Sequence, residues 1–158
     1  ASCVGILSAH IFGYKNKNTL TFAKNLGIAL QLTNIIRDLG EDARRGRIYI
    51  PLDELKKIGI SEEEIISLKN SEKIKNLVKN QVDRAKQFYA LAINTLPIED
   101  KKSQKIGLIM GNIYFVLLNE IVKDNPEKIL NQKTILPGFR KLRISILTML
   151  GFSWIKKT

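Results

Sequence analysis

Charged residues are concentrated between Gln31 and Pro51, where a chain with formal net charge +11 reads QLTNIIRDLGEDARRGRIYIP. At 100° per residue of helix, five polar residues of this stretch fall within one arc of roughly 100°. Asp38 and Asp42 are one turn apart, about 6 Å along the axis, and like charges at that spacing repel each other. A cation between them would remove the repulsion, and Mg²⁺ fits because it prefers hard oxygen ligands such as carboxylates. The five polar residues are Gln31, Asn34, Asp38, Glu41 and Asp42.

Four arginines accompany these acids, at positions 37, 44, 45 and 47. A guanidinium group donates two parallel hydrogen bonds, and this geometry matches phosphate oxygens. Carboxylates for a metal beside arginines for phosphate therefore suggest a diphosphate site. The same pattern fits a solvated helix face on which acidic and basic side chains pair, and spacing alone leaves both interpretations open. Gly40, which is unfavourable inside a helix, slightly favours a functional role, whereas Tyr49 is also compatible with simple packing.

Apolar residues recur at helical spacing along most of the chain, which predicts an all-α fold in a single domain over residues 1–158. Ser61 and Glu64 have the spacing of a capping box, which marks the start of one helix. The polar sequence DNPEKILNQK, residues 124–133, is interpreted as a connector. The other predicted helices run from Thr19 to about Asp42, from Pro51 to Gly59, from Ser71 to Pro97, from about Asp100 to Lys123, and from about Gly138 to Leu150.

The composition disfavours several classes of protein. Cys3 is the single cysteine, so neither an internal disulfide nor a cysteine-rich zinc site is available, and a reducing, cytoplasmic setting fits. The longest apolar run, residues 106–118, falls short of the about 20 residues that span a bilayer, so no transmembrane helix is expected. Lysines are scattered along every helix without a basic groove that carries stacking aromatic residues, which disfavours nucleic acid as a partner.

The carboxyl-terminal stretch FRKLRISILTMLGFSWIKK combines basic and apolar residues in the manner of an interfacial helix, and it suggests peripheral contact with an anionic membrane. A terminal helix docked on the core, with its lysines in solvent, explains the pattern equally well. The basic residues are Arg140, Lys141, Arg143, Lys156 and Lys157, and the apolar residues are Phe139, Leu142, Ile146, Leu150 and Trp154.

The segment LGIALQLTNIIRDLGEDARRGRIYIP resembles the second aspartate-rich motif of the squalene and phytoene synthase family. That motif reads Gln, two residues, Asn, two residues, Arg-Asp, then Gly-Glu-Asp and Gly-Arg-Ile/Val-Tyr. VGILSAHIFGY before it, and PLDELKKIGIS, IMGNIYFVLLNEI and ILPGFRKLRISIL after it, also resemble the family, so the similarity covers essentially the whole chain. The resemblance implies the C-terminal part of an isoprenoid-synthase-type helical bundle around a central cavity.

The resemblance also implies a role for each polar residue of the motif. Asn34, Asp38 and Asp42 would face a metal–diphosphate cluster of Mg²⁺, or alternatively Mn²⁺, with Asn34 and Asp38 as the more direct ligands. Tyr49 would lie beside the reacting carbons or the leaving group. The substrate-binding residues would be Gln31, Asn34, Arg37 and Arg47, and the catalytic residues Asp38, Asp42 and Tyr49.

Members of this family join two prenyl diphosphates head to head. The similarity implies conversion of farnesyl diphosphate to presqualene diphosphate or squalene, as on the bacterial hopanoid route, by magnesium-assisted ionisation of the diphosphate. A phytoene synthase that uses geranylgeranyl diphosphate is the alternative within the family. An alternative of another class is an inactive fragment that acts only as a basic module binding a membrane surface.

The family's first aspartate-rich motif has no counterpart in this sequence. The other adjacent acids, Asp53-Glu54, Glu62 to Glu64 and Glu99-Asp100, lie at predicted helix starts or connections, where acids complement the helix dipole. The chain is therefore expected to be the C-terminal half of an incomplete isoprenoid synthase domain that lacks its N-terminal helices. Its expected partners are prenyl diphosphates and, if separately encoded, the N-terminal half. The expected location is the cytoplasm, with peripheral contact at the inner face of the membrane.

Overall fold

The computed structural model describes residues 1–67, 71–123 and 126–156. All regular secondary structure in these ranges is helical. The predicted all-α fold is therefore confirmed, and the predicted bounds agree closely for most elements. The capping box is present, because Ser61 Oγ accepts the Glu64 N–H and the Glu64 carboxylate accepts the Ser61 N–H. The helices are α1 (Ser2–Phe12), α2 (Asn18–Arg44), α3 (Leu52–Ile58), α4 (Glu62–Ile66), α5 (Glu72–Thr95), α6 (Lys105–Lys123), α7 (Pro126–Asn131) and α8 (Gly138–Met149).

Helix α2 lies at the centre of the fold and packs against α1, α5, α6 and α7. Its apolar stripe, which includes Phe22, Leu26 and Ile36, is buried in the common core. Each such side chain contributes about 1.5–3 kcal/mol by leaving water. The α1 and α2 backbones approach closely at Gly27, where a Cβ atom would lie 2.9 Å from the Ala1 carbonyl oxygen. This packing fixes α1 across the first half of α2.

The predicted helix from Asp100 begins later, because Asp100 has a different role. Asp100 ends a short 3₁₀ turn, Ile98–Asp100, and α6 starts at Lys105. The Asp100 carboxylate accepts the backbone N–H groups of Lys15 at 2.8 Å and Asn16 at 3.0 Å, and the Thr19 hydroxyl at 2.7 Å. Three donors on one buried carboxylate tie the start of α6 to the start of α2.

The predicted connector over residues 124–133 is wrong in its central part, where Pro126–Asn131 forms α7. Positions 124 and 125 lie outside the described residues. Ile129 and Leu130 are buried, and the Leu130 backbone lies against Gly40 of α2 so closely that a Cβ there would clash. Arg44 Nη1 also donates to the Leu130 carbonyl oxygen at 2.8 Å. Close packing against α2 therefore stabilises a helix that the local sequence does not indicate.

Helix α6 is long and apolar enough to cross a membrane by length and composition, although no transmembrane helix was expected from the apolar run alone. In the fold it packs against α2, α5 and α8. Its exposed residues are Ile106, Met110, Val122 and Lys123. The packing around the rest of the helix makes it part of the bundle core.

The predicted amphipathic segment at the carboxyl terminus is only partly helical. Helix α8 ends at Met149, so Trp154 and Lys156 follow the helix and are not part of it. The Trp154 backbone N–H donates to Asn112 Oδ1 at 3.0 Å, which fastens this tail to α6. Lys157 lies outside the described residues.

Candidate active site

The second half of α2 holds Asp38 between two cations. Arg37 donates two hydrogen bonds to the Asp38 carboxylate, from Nε at 2.9 Å and from Nη2 at 2.7 Å. Lys133 Nζ lies 2.9 Å from Asp38 Oδ1 and 3.1 Å from Glu41 Oε2. The hydrogen bonds from Arg37, and then from Lys133, hold the pKa of Asp38 below its ordinary value, although partial burial opposes this. The Asp38 carboxylate is therefore ionised, and the positive charges of Arg37 and Lys133 compensate its negative charge.

Lys133 is a residue of the site that the sequence does not reveal. It follows α7 and reaches Asp38 because α7 is docked at Gly40. Hydrogen bonds to Asp38, and then to Glu41, raise the pKa of Lys133. The repulsion expected between carboxylates on one helix face indicates that a cation lies beside them. The sequence around Asp38 does not identify this cation as Lys133, because Lys133 is remote in sequence.

Asp42, Arg47 and Tyr49 lie at or just after the end of α2. The Asp42 carbonyl oxygen accepts the N–H of Arg45 at 3.0 Å and of Arg47 at 2.8 Å, which closes the helix. Within the described residues, no hydrogen bond or ion pair is formed by the side chains of Asp42, Arg47 or Tyr49. Tyr49 is 53% exposed. The structure therefore places these three near the end of the helix without bringing them into the Asp38 cluster.

Two of the four arginines have structural partners. Arg44 binds the Leu130 carbonyl oxygen, and Arg45 Nη2 pairs with Glu41 at 2.7 Å. Arg37 differs, because the Tyr114 hydroxyl of α6 lies close to its guanidinium group. The hydrogen bond to Asp38 is the main cause that raises the pKa of Arg37, and Tyr114 adds to it. Arg37 is thus the arginine that links the acidic cluster to α6.

A cavity of ≈ 430 Å³ lies between α1, α2 and α6, and it is lined mainly by apolar side chains. Its polar lining residues include Gln31 and Asn34 from the predicted site and Tyr114 beside Arg37. The cavity therefore adjoins the charged cluster. The apolar lining includes Val4, Phe12, Phe22, Leu26, Leu30 and Met110.

Asn34 contributes the least satisfied polar atom of this region. Its side-chain oxygen Oδ1 is buried and has no hydrogen-bond partner. A buried polar atom left unpaired is destabilising by about 1–3 kcal/mol, so such atoms in folded proteins usually await a ligand or water. Paired charges such as Arg37 with Asp38 would also fit a solvated helix face. The unpaired Asn34 oxygen at a cavity fits a binding site better.

The residues present fit the chemistry of a divalent cation. Asn34, Asp38 and Asp42 offer amide and carboxylate oxygens at successive turns of α2, and Mg²⁺ prefers such hard donors. Within the ranges that the structure describes, no cluster of three histidine, cysteine, aspartate or glutamate side chains has metal-site geometry. Mg²⁺ commonly uses only one or two carboxylates and completes its shell with water and phosphate. One helix face would thus supply part of a ligand shell.

The fold and the site together define a class: an all-α bundle in which one helix carries acidic and amide oxygens beside an apolar cavity. The sequence profile of squalene/phytoene synthase matches residues 1–140. The chain belongs to the squalene/phytoene synthase family, whose members condense prenyl diphosphates head to head. The resemblance read from the second aspartate-rich motif is thereby confirmed.

Several relatives carry the same family name. The chain is 34% identical to the phytoene synthase of Arthrospira platensis over 155 residues, which is 90% of this chain and 50% of the relative. It is 39% identical to a chloroplastic phytoene synthase of an Oncidium hybrid cultivar over 127 residues, 77% of this chain and 31% of the relative. The chain thus spans half or less of the length of these curated relatives.

The fold has a counterpart among solved structures. A crystal structure of a dehydrosqualene synthase in complex with ligand aligns with a TM-score of 0.67 over 84% of this chain and 46% of that chain. The two sequences are 23% identical over this alignment, so the likeness concerns the fold. The helical arrangement matches that of isoprenoid synthases.

Proposed function

We propose that this chain forms one wall of an enzyme that joins two prenyl diphosphates head to head. The observation that carries the proposal is the buried, unpaired Asn34 oxygen, which lies at an apolar cavity one turn from Asp38. A prenyl diphosphate has a matching division, with a long apolar chain and a compact anionic head. The cavity suits the chain, and the polar face of α2 suits the head.

The diphosphate would be held by the charged residues of α2 and the turn after it. Arg37 and Arg47 donate guanidinium hydrogen bonds to phosphate oxygens, and Gln31 contributes an amide at the cavity wall. Asn34, Asp38 and Asp42 are the residues that would hold Mg²⁺ or Mn²⁺. When bound, the metal would act as a Lewis acid that stabilises the departing diphosphate. Tyr49 would lie near the leaving group.

The apolar lining of the cavity would keep water away from the reacting carbons. Loss of diphosphate leaves an allylic carbocation, which the double bond of the second prenyl chain must reach before water does. Phe22 and Leu26 of α2 contribute to a lining that excludes water from that end of the cavity.

Two substrates remain as candidates. The two relatives are phytoene synthases, which favours the phytoene synthase reaction with geranylgeranyl diphosphate as substrate. The second candidate is farnesyl diphosphate, which would give presqualene diphosphate or squalene, and it rests on the motif resemblance alone. In both cases we propose that the chain works as the C-terminal half of the enzyme, so the isolated 158 residues should not form product.

The substrate is tested with a chimera in which this chain replaces the matched half of the Arthrospira platensis phytoene synthase. The chimera is incubated with Mg²⁺ and either geranylgeranyl or farnesyl diphosphate, and products are identified by mass spectrometry. Phytoene from the chimera, with none from the 158-residue chain alone, is expected. Product from farnesyl diphosphate only would reverse the choice of substrate. A folded chimera that forms no product from either substrate, while the unaltered relative is active, would contradict the proposed function.

A further inference from the structure

We propose that the outer face of α8 and the adjoining groove bind an anionic lipid bilayer, so that the protein attaches peripherally to the membrane surface. This role is independent of the condensation chemistry. Only the first turn of α8 falls within the residues matched by the family profile, which end at 140. The surface is defined by α8, the tail 150–156 and the segment 98–105.

Helix α8 is apolar on the side that faces away from the protein. Ile144 and Thr148 are buried against α6. The opposite side of α8, together with Leu150 directly after the helix, carries five exposed apolar residues, of which Phe139 is 72% exposed. A helix with one buried and one exposed apolar side lacks a partner on the second. The exposed residues are Phe139, Leu142, Ile146, Met149 and Leu150.

The charged residues of α8 and of the C-terminal tail are all basic. Residues 133–158 contain Lys133, Arg140, Lys141, Arg143, Lys156 and Lys157 and no aspartate or glutamate. Arg140 pairs with Glu120 of α6 at 3.1 Å. Lys141 and Arg143 are exposed, and neither forms an ion pair in the part of the chain that the structure describes. Cations that flank an apolar face are the pattern by which interfacial helices bind anionic lipids.

A groove of ≈ 540 Å³ lies at the end of α8, between the tail and the segment that precedes α6. Its rim carries Ile98, which is 79% exposed, and Phe152, which is 66% exposed. Lys101 and Lys102 line the same groove and are exposed. The segment 98–102 also contains Glu99, which is exposed, and Asp100, whose carboxylate accepts hydrogen bonds from Lys15, Asn16 and Thr19. The groove therefore adds exposed apolar side chains and two lysines to this edge without adding net positive charge, and the cations that carry the proposal are those of α8 and the tail.

Charge complementarity favours lipid over protein as the occupant. A second copy of this chain would bring the same net charge of +11 against the cations of α8. The exposed apolar residues Val4, Leu7 and Ile11 of α1 provide a contrast, because α1 contains no lysine, arginine, aspartate or glutamate. Protein interfaces are depleted of charge at their centre, so the α1 face suits the remainder of the enzyme. The α8 face, with unpaired cations, suits an anionic bilayer.

The test is cosedimentation of the 158-residue chain with vesicles of phosphatidylcholine, with or without phosphatidylglycerol. We expect binding to the anionic vesicles that weakens as salt is raised. Lys141→Gln with Arg143→Gln should reduce binding by roughly 25-fold, about fivefold for each charge removed. Leu142→Ser with Ile146→Ser should also reduce binding. Matched controls are Lys56→Gln with Lys79→Gln for charge and Val4→Ser with Leu7→Ser for apolar exposure.

Three results would overturn the proposal. Equal binding to neutral and anionic vesicles would exclude a role for the basic residues. A control pair that reduces binding as much as the α8 pairs would mean that the surface is not the one assigned. If the α8 variants dissociate an oligomer in sedimentation analysis while vesicle binding is unchanged, the face binds a second copy.

Discussion

At the scale of single residues, Asn34 and Asp38 lie one helical turn apart and differ in whether their side-chain oxygens have partners. Asp38 is bound by Arg37 and Lys133, whereas the Asn34 oxygen is buried and unpaired. The ion pairs of Arg37 and Lys133 offset the repulsion between the Asp38 and Glu41 carboxylates on one helix face. A bound metal ion would find the unpaired Asn34 oxygen as a ligand. The diphosphate would find the side chains of Arg37 and Lys133, which could exchange Asp38 for phosphate oxygens.

Asp100 gives a residue-scale prediction about pH. Burial raises the pKa of Asp100, but hydrogen bonds from Thr19, Asn16 and Lys15 outweigh it and lower the pKa below its ordinary value. Ionised Asp100 therefore stabilises the fold above its unfolded pKa of about 3.9, and this stabilisation is lost as pH falls through the lower folded value. Asp100→Asn should reduce the Tm at neutral pH by several degrees, because an amide cannot accept all three donors.

The measurement is thermal unfolding followed by circular dichroism from neutral to acidic pH. The difference in Tm between wild type and Asp100→Asn should shrink in acid, since the wild-type carboxylate becomes protonated. Asp53→Asn, at an exposed position paired only weakly with Lys57, is the control. Asp53→Asn and Asp100→Asn having the same Tm at neutral pH would contradict the role assigned to Asp100.

The polar residues on the face of α2 could be predicted from the sequence, but the residues that pair with them could not. Helical spacing placed Gln31, Asn34 and Asp38 on one face, and α2 is continuous through these positions. Gln31 and Asn34 line the cavity, whereas Asp38 does not. The pairing of Asp38 with Lys133 depends on how α7 packs, and no pattern near Asp38 contains that information. The roles of these residues in metal and substrate binding stay predictions.

At the scale of elements, the approach of α7 to α2 decides the arrangement of the site. Gly40 permits the Leu130 backbone to pack on α2, and Arg44 holds the Leu130 carbonyl. The sequence suggested a functional reason for this glycine in mid-helix. The structure gives a packing reason, which still serves the site because it positions Lys133.

Gly40→Ala should therefore destabilise the protein by about 1–3 kcal/mol, because the added Cβ overlaps the Leu130 backbone and α7 must shift. Gly138→Ala is the matched control, since a Cβ at Gly138 meets no atom within 4 Å. It should be neutral or slightly stabilising at the start of α8. Urea unfolding of both variants provides the comparison. Equal stability of Gly40→Ala and wild type would contradict the close packing.

The long helices were predictable because each buries a regular apolar stripe, as α2 and α5 do. Local caps were equally readable, as the Ser61–Glu64 box illustrates. Helix α7 was missed because it is short and owes its position to a contact between backbones. The start of α6 was misplaced because the acid at Asp100 serves a neighbouring loop and not its own helix.

At the scale of the whole molecule, the chain holds an apolar cavity between α1, α2 and α6 and exposes two apolar faces of different character. The family and the helical fold are established by the match over residues 1–140 and by the likeness to dehydrosqualene synthase. The chain spans half of the Arthrospira platensis relative. In our account, the uncharged α1 face meets the rest of the enzyme, and the basic α8 face meets the membrane.

The central claim is that the polar face of α2 handles the diphosphate. The most direct test is diphosphate release by the chimera after Asp38→Asn, compared with Asp83→Asn at an exposed position on α5. Asp38→Asn should reduce turnover by about a hundredfold or more at saturating Mg²⁺. Its Tm should fall by a few degrees at most, because the asparagine side-chain oxygen can still accept a hydrogen bond from Arg37 or Lys133. Asp83→Asn should leave both turnover and Tm unchanged. Turnover of the Asp38→Asn chimera close to that of the Asp83→Asn chimera would contradict the account.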